Sequence, residues 1–322
     1  MPSQPSYYIW ASDPHAKGQS WINLVKEAQY DYPTAQTIFG GDYIDGGKYA
    51  NETIQFVMDQ VQGHHAQALL GNHEQIMRDF VETFDNLWYH NGAKSTIKSF
   101  FGRGFSKKTA QHLLRFDDRY LFLKNLPKIL ITPHIIFVHA GIACWEPNNY
   151  QDPNIYKPLL PLFAFMDPQE YFYLWSREAY WYGPRGPKDD NMIFTHNLTG
   201  KTIVTGHTPT TFLIGNFENS NKYIENTFNY MTWSDNDPLL LQRPCPVRMV
   251  KYPHEAPRFF TDDGCHGSNH HFGNVCVFDN LGHLIKIYNH DTNIKPYNDP
   301  EEGIVNLKQP LWNPKTHQYD WK

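Results

Sequence analysis

The sequence predicts an α/β chain (α+β in the broader sense) in which two mixed β-sheets pack face to face with helices on their outer sides, an αββα arrangement. Three observations predict it. Short apolar runs ended by glycine or polar residues recur along the chain, strand and helix patterns alternate in its first part, and its later part is strand-rich.

Taken in order, Tyr7 to Ala11 is the first apolar run, and Ser20 to Tyr30 follows with apolar residues at 21, 22, 24, 25 and 28, a helical spacing. Thr37 to Phe39 is the next strand. Asn51 to Val61, apolar at 54, 57, 58 and 61, is the next helix. Ala68 to Leu70 reads as a third strand, and Gln75 to Tyr89 carries a near-regular helical stripe from Ile76 to Trp88. This alternation predicts a parallel βαβ half. Ile135 to Val138, Ile203 to Thr205, Arg258 to Thr261, Val275 to Phe278 and Leu284 to Tyr288 supply further strands, the last two joined by the turn sequence D-N-L-G. The whole chain, 1–322, reads as one domain. Two excursions are expected on its surface, one over 145–199, rich in proline and aromatics, and a polar one over 216–257.

Composition excludes several classes. A formal net charge of −5 with no long basic run argues against a nucleic-acid polymer as partner. No apolar run reaches the roughly 18–20 residues that span a bilayer. The start, M-P-S-Q-P-S-Y-Y, lacks the basic and apolar regions of a signal peptide. Four cysteines, at 144, 245, 265 and 276, form no C-x-x-C pair, which fits a cytoplasmic setting and buried thiols rather than a zinc ribbon.

Chemistry gathers where the strands end. The first run ends in S-D-P-H, giving Asp13 and His15; the second in G-G-D-Y-I-D, giving Asp42 and Asp45; the third in G-N-H-E, giving Asn72 and His73. Two later runs end in V-H-A-G and T-G-H-T, giving His139 and His207. Singly, each has a plain structural explanation: an aspartate holding a turn, an Asx-turn asparagine, a satisfied histidine. Together they are a mixed oxygen and nitrogen donor set suited to Mn²⁺, Fe or Zn²⁺. Parallel strands deliver such residues to one sheet edge. One zinc ion needs about three protein ligands, whereas at least six stand in order here. Two cations about 3.5–4 Å apart can clamp a phosphate ester and its attacking oxygen.

These motifs, D-x-H, G-D-x-x-D, G-N-H-E, H-A-G and G-H-T in that order, resemble the calcineurin-like metallophosphoesterase superfamily, and most closely its phosphoprotein phosphatase branch of Ser/Thr phosphatases and bacterial diadenosine tetraphosphatases. The later segment D-D-G-C-H-G-S-N-H-H-F-G-N-V-C-V-F-D also looks like that family's closing strands. The resemblance implies an αββα metallophosphoesterase sandwich and roles for individual residues. Asp13 and His15 would ligate the first metal, Asp42 would bridge both, and Asn72, His139 and His207 would ligate the second. His73 would be the general acid, oriented and charged by Asp45. The ions implied are two divalent cations, manganese first, with iron or zinc as alternatives.

Pro209 follows Gly206, His207 and Thr208, where nucleases and phosphodiesterases of the superfamily carry a second histidine; this favours the phosphatase and tetraphosphatase branch. The branch also reads G-D-x-x-D-R-G, its arginine gripping phosphate, whereas position 46 here is glycine. Arg177, in L-W-S-R-E, is the leading substitute and substrate-binding candidate; Lys48 and Arg185 are weaker ones. The implied function is hydrolysis of phosphate monoesters, as in Ser/Thr protein phosphatases, by hydroxide generated at two metals. The alternatives are hydrolysis of dinucleoside tetraphosphates and, from another class, a metal-binding scaffold of low activity. The expected partners are a phosphorylated protein, peptide or nucleotide substrate.

Overall fold

A computed structural model describes residues 5–147, 149–152, 167–183, 192–213, 215–218, 223–224, 247–266 and 272–289, and also 293–294, 304–306, 310–313 and 318–321. The front of the chain forms β1 (Tyr7–Ala11), α1 (Gln19–Asp31), β2 (Gln36–Phe39), α2 (Ala50–Gln62), β3 (Ala66–Ala68) and α3 (Asn72–Thr83). A helical stretch follows: α4 (Leu87–His90), α5 (Ala93–Phe101), α6 (Lys107–Leu114) and α7 (Asp118–Leu123). Next come β4 (Ile129–Ile131), β5 (Ile135–Val138), α8 (Pro168–Trp175), α9 (Glu178–Tyr182) and β6 (Thr202–Thr205). The remaining strands that matter for the site's frame are β7 (Gly215–Asn216), β8 (Tyr223–Ile224), β9 (Arg248–Val250), β10 (Arg258–Phe260), β11 (Val275–Asp279), β12 (Leu284–Tyr288), β13 (Asn293–Ile294) and β14 (Ile304–Asn306).

Two six-stranded sheets result, ordered β13-β12-β11-β1-β2-β3 and β14-β9-β10-β6-β5-β4. β1, β2 and β3 run parallel, with Ala11 beside Phe39 and Phe39 beside Ala68. β5, β6 and β10 run parallel in the second sheet. Each sheet therefore sends the C-terminal ends of three strands toward one edge, where an open α/β sheet places its functional groups.

Strand periodicity decides which side chains fill which layer. In β1, Tyr8 and Trp10 join Ile38, Phe137, Val204, Phe259, Cys276 and Phe278 between the sheets. Their neighbours Ile9 and Ala11 face the other way and pack with Trp21, Val25, Ile54, Val57 and Phe80 of the helices. The second sheet repeats the scheme, with Ile136, Val138, Ile203 and Phe260 meeting Leu174 and Tyr180. Trp10 stacks on Phe137 at 5.5 Å, and its indole N–H donates to Thr261 Oγ1 at 2.9 Å, tying one sheet to the other. Burying an indole this fully stabilises the fold by roughly 3 kcal/mol.

Five features depart from the sequence reading. The helix expected over Gln75 to Tyr89 starts earlier, at Asn72, and breaks at Phe84, which sits in the left-handed region with φ 66°. The Asp85 carboxylate then accepts from the Leu87 N–H at 2.7 Å and starts α4 afresh. The third strand lies at Ala66–Ala68, because Leu70 N–H turns away to Pro127 O at 2.8 Å. Helices α5 to α7 had no sequence-level prediction. The excursion over 145–199 is not loop throughout: α8 and α9 fall within it, and Phe172, Tyr173, Leu174, Tyr180 and Trp181 are buried. The excursion over 216–257 contains β9, a strand inside the second sheet; its stretch 225–246, like Arg185 and Cys245, lies outside the described residues. Among the described residues no helix is long and apolar enough to cross a membrane.

Candidate metal centre

The loops after β1 and β2 continue to bond each other beyond the strands: Asp13 N–H donates to Gly41 O and His15 N–H to Asp42 O, both at 3.0 Å. The second sheet joins them, His207 N–H donating to Asp13 Oδ1 at 2.9 Å and Gly206 N–H to His139 O at 2.9 Å. With Asn72, after β3, beside His139 and His207, residues from five strand ends meet at one point. Five of the nine sequence-predicted site residues hold positive φ: Asp13, His15, Asp42, Asp45 and His207. A non-glycine residue there is strained by roughly 1 kcal/mol or more, a cost that proteins concentrate at functional sites. A close fit adds a second constraint. A Cβ on Gly206 would lie 1.8 Å from Asp13 Oδ2, so only glycine lets that carboxylate enter.

Two groups of donors that include a carboxylate form among the described residues, Asp13–His15–Asp42 and Asp42–His139–His207, the ligand atoms of each lying within 4.8 Å of one another. Asp42 is common to both. Its Oδ2 lies 3.6 Å from His15 Nε2 and its Oδ1 3.4 Å from His139 Nε2. Asn72 Oδ1 is approached at 2.9 Å by both His139 Nε2 and His207 Nδ1. The three imidazoles are anchored on backbone carbonyls by their other nitrogens: His15 Nδ1 on Ile44 at 3.3 Å, His139 Nδ1 on Gly40 at 2.8 Å, and His207 Nε2 on Trp175 at 3.3 Å. Such anchoring orients a ligating ring and fixes its tautomer.

The electrostatics suit cations. Burial pushes the Asp13 carboxyl up to about 7, with Asp42 adding to the rise. Burial and the nearby Asp13 raise Asp262, a further carboxyl at this edge, well above the usual range. Burial holds His15 and His207 neutral, the form that ligates, and Arg177 depresses His207 further. Burial opposes charge on Asp42 as well, yet His139, His73 and His15 hold it ionised, well below the ordinary carboxylate range. Asp13 Oδ2 is buried with no hydrogen-bond partner among the described residues. A buried carboxylate oxygen left so is costly unless a cation completes it, and the donor set fits a pair of ions sharing Asp42.

Beside this centre His73 Nδ1 lies 2.8 Å from Asp45 Oδ2. Asp45 is wholly buried and is fixed by Trp88 Nε1 at 2.9 Å and Thr96 Oγ1 at 2.6 Å. Burial works against charge on His73, but Asp42 and Asp45 prevail and raise it to about 9. The His73 backbone N–H, in the first turn of α3, donates to Asp42 Oδ1 at 3.0 Å, so the helix N-terminus also faces the shared carboxylate.

Arg177 comes to the rim. Its Nη2 donates to His207 O at 3.5 Å, and its buried Nε has no partner among the described residues. Lys48 is exposed.

Sequence reasoning missed three groups here. Glu74 accepts backbone N–H bonds from Asp42 at 2.8 Å, Tyr43 at 2.9 Å, Ile44 at 3.3 Å and Gly71 at 3.1 Å. It was legible as the last letter of G-N-H-E. The Trp88 and Thr96 clasp had no local signal. His266, in D-D-G-C-H-G, reaches the rim as well. Glu74→Ala should destabilise the fold by roughly 3 kcal/mol, since several buried donors lose their acceptor together. Urea unfolding of the metal-free protein measures this, and a change below about 1 kcal/mol would mean that water satisfies those donors equally well.

The calcineurin-like phosphoesterase family profile matches residues 8–211. No curated protein matches the chain by sequence. Among solved structures, a cold-active protein-tyrosine phosphatase of the psychrophile Shewanella sp. aligns over 92% of this chain and 82% of its own, with TM-score 0.54 at 16% identity. A provisionally assigned diadenosine tetraphosphatase aligns over 93% and 97% at TM-score 0.44 and 15% identity. A protein serine/threonine phosphatase of Saccharomyces cerevisiae aligns over 94% and 84% at TM-score 0.45 and 12% identity. At 16% identity the likeness to the first of these is one of fold.

Proposed function

From the premise that this chain belongs to the calcineurin-like phosphoesterase family, and so is a hydrolase of phosphoric esters, we propose that it is a metal-dependent phosphatase of phosphate monoesters such as phosphoserine and phosphothreonine. The observation that carries this reading is the pair of donor groups meeting at Asp42, with a charged imidazole, His73 on Asp45, at their edge.

Asp13, His15 and Asp42 would hold one ion, and Asp42, Asn72, His139 and His207 the other, with manganese our first choice for this donor set. Bound cations would supply charge for the phosphoryl oxygens and a water acidified toward neutral pH. The chain's own side chains do the rest. Asp42, kept ionised by its histidines, holds both halves of the centre in register. Without ions His73 is raised to about 9 by Asp42 and Asp45 against the effect of burial, and Asp45, 2.8 Å from its Nδ1, is the part of that pull that bound ions would leave in place. With Nδ1 committed to Asp45, its Nε2–H is free to protonate the departing oxygen. That assistance is worth about 10²–10⁴-fold for a poor leaving group. Arg177, with its open Nε, is our phosphate-gripping candidate on the His207 side.

The test is a substrate panel on protein purified with Mn²⁺: p-nitrophenyl phosphate, phosphoserine, phosphothreonine and phosphotyrosine peptides, and diadenosine tetraphosphate. We expect phosphate release from the monoesters that a chelator abolishes and Mn²⁺ restores. Nucleotide products alone would move the assignment to dinucleotide hydrolysis. No metal-dependent release from any member would count against both readings.

A further inference from the structure

Position 46 stands where the related phosphatases carry a phosphate-gripping arginine, and the structure accounts for its being glycine. A Cβ there would lie 3.3 Å from Cδ2 of His266, 3.4 Å from its Cα and 3.3 Å from Cβ of His15, on a backbone with φ +75°. His266 thus occupies the space over Gly46. Its ring centroid lies 4.8 Å from that of His15 and 5.0 Å from that of His73. One nitrogen from each of the three rings falls within 4.8 Å of the others. His15 and His73 are buried whereas His266 is exposed, so it stands at the mouth of the centre. The Asn91 backbone, at the end of α4, lies beside the ring.

In this group of three, His15 already serves the Asp13–His15–Asp42 donor group and His73 is committed to Asp45, so the space among the rings suits a substrate oxygen better than a third cation. We propose that His266 is a substrate-binding residue that holds an anionic oxygen of the phosphate monoester at the mouth of the centre, in the place a side chain at position 46 would otherwise fill. The inference rests on the phosphatase reading above and names the residue that grips the phosphate on the His73 side, opposite Arg177. The hydrogen bond needs one proton between ring nitrogen and phosphate oxygen, which either partner can carry.

The experiment compares wild type with His266→Ala in the Mn²⁺-loaded protein by calorimetric titration with inorganic phosphate, phenyl phosphate kinetics and metal analysis. We expect phosphate affinity to fall about tenfold and KM to rise by a similar factor, the loss of roughly one charge-assisted hydrogen bond, with kcat changed much less and the ion content kept. Unchanged phosphate affinity would overturn the assignment. So would loss of an ion, which would make His266 a metal ligand. The titration does not depend on turnover, so a protein that binds phosphate yet hydrolyses no ester refutes the phosphatase reading while still testing His266. A second comparison places Gly46→Arg in wild type and in His266→Ala. The arginine should weaken phosphate binding beside His266 and strengthen it in the alanine background. Equal effects in both would show that the two positions do not share the space.

Discussion

Asp42→Asn should abolish phosphate release and ion binding together. The substitution keeps the size of the side chain and its acceptor oxygen for the His73 N–H, now 3.0 Å from Asp42 Oδ1, so the fold should survive. What goes is the one charge common to both donor groups. An amide cannot present two anionic oxygens, one 3.6 Å from His15 and the other 3.4 Å from His139. We expect kcat/KM on p-nitrophenyl phosphate to fall by roughly 10³-fold or more, as befits removal of most of the charge stabilisation at a two-metal site. Metal analysis after dialysis should find little Mn²⁺ retained, and circular dichroism should be that of the wild type. If the variant keeps two ions per chain, Asp42 is not the shared ligand. If it binds none but unfolds as well, Asp13→Asn, which touches only one group, should lose a single ion and separates the two causes.

The second large effect belongs to His73. His73→Asn should slow phenyl and alkyl phosphates by about 10²–10⁴-fold, yet slow p-nitrophenyl phosphate far less, because nitrophenolate leaves without a proton. The geometry makes the direction specific. Asp45 binds only Nδ1 of the ring, and its carboxylate is held on both oxygens by Trp88 and Thr96. It therefore keeps the imidazole charged and pointed, and Asp45→Asn should show the same leaving-group pattern with a smaller amplitude. The measurement is the slope of log kcat against leaving-group pKa over a series of aryl phosphates. A slope no steeper in His73→Asn than in wild type would assign His73 to orientation or to the metals instead.

The candidate metal ligands lie within a few positions of a strand end, and for that reason they could be picked out as candidates. Asp13, His15, Asp42, Asn72, His139 and His207 each follow an apolar run that parallel pairing carries to one edge. Helices α5 to α7 were not readable. They pack chiefly against α2, α3 and α4, and the break at Phe84 carries neither glycine nor proline to announce it. Its turn-forming Asp85 and Asn86 were the available signal.

Local pattern and motif order were enough to determine the layered fold class and which side chains meet at the edge, because strand periodicity and the parallel crossover act over short stretches of chain. Only the tertiary structure decided what surrounds them. Trp88 and Thr96 close on Asp45 from 43 and 51 residues away, and His266 settles over Gly46 from the segment that follows β10. Such contacts depend on how loops stack once both sheets have closed, and the physical reason they cannot be read locally is that no short-range spacing encodes the approach of two distant loops.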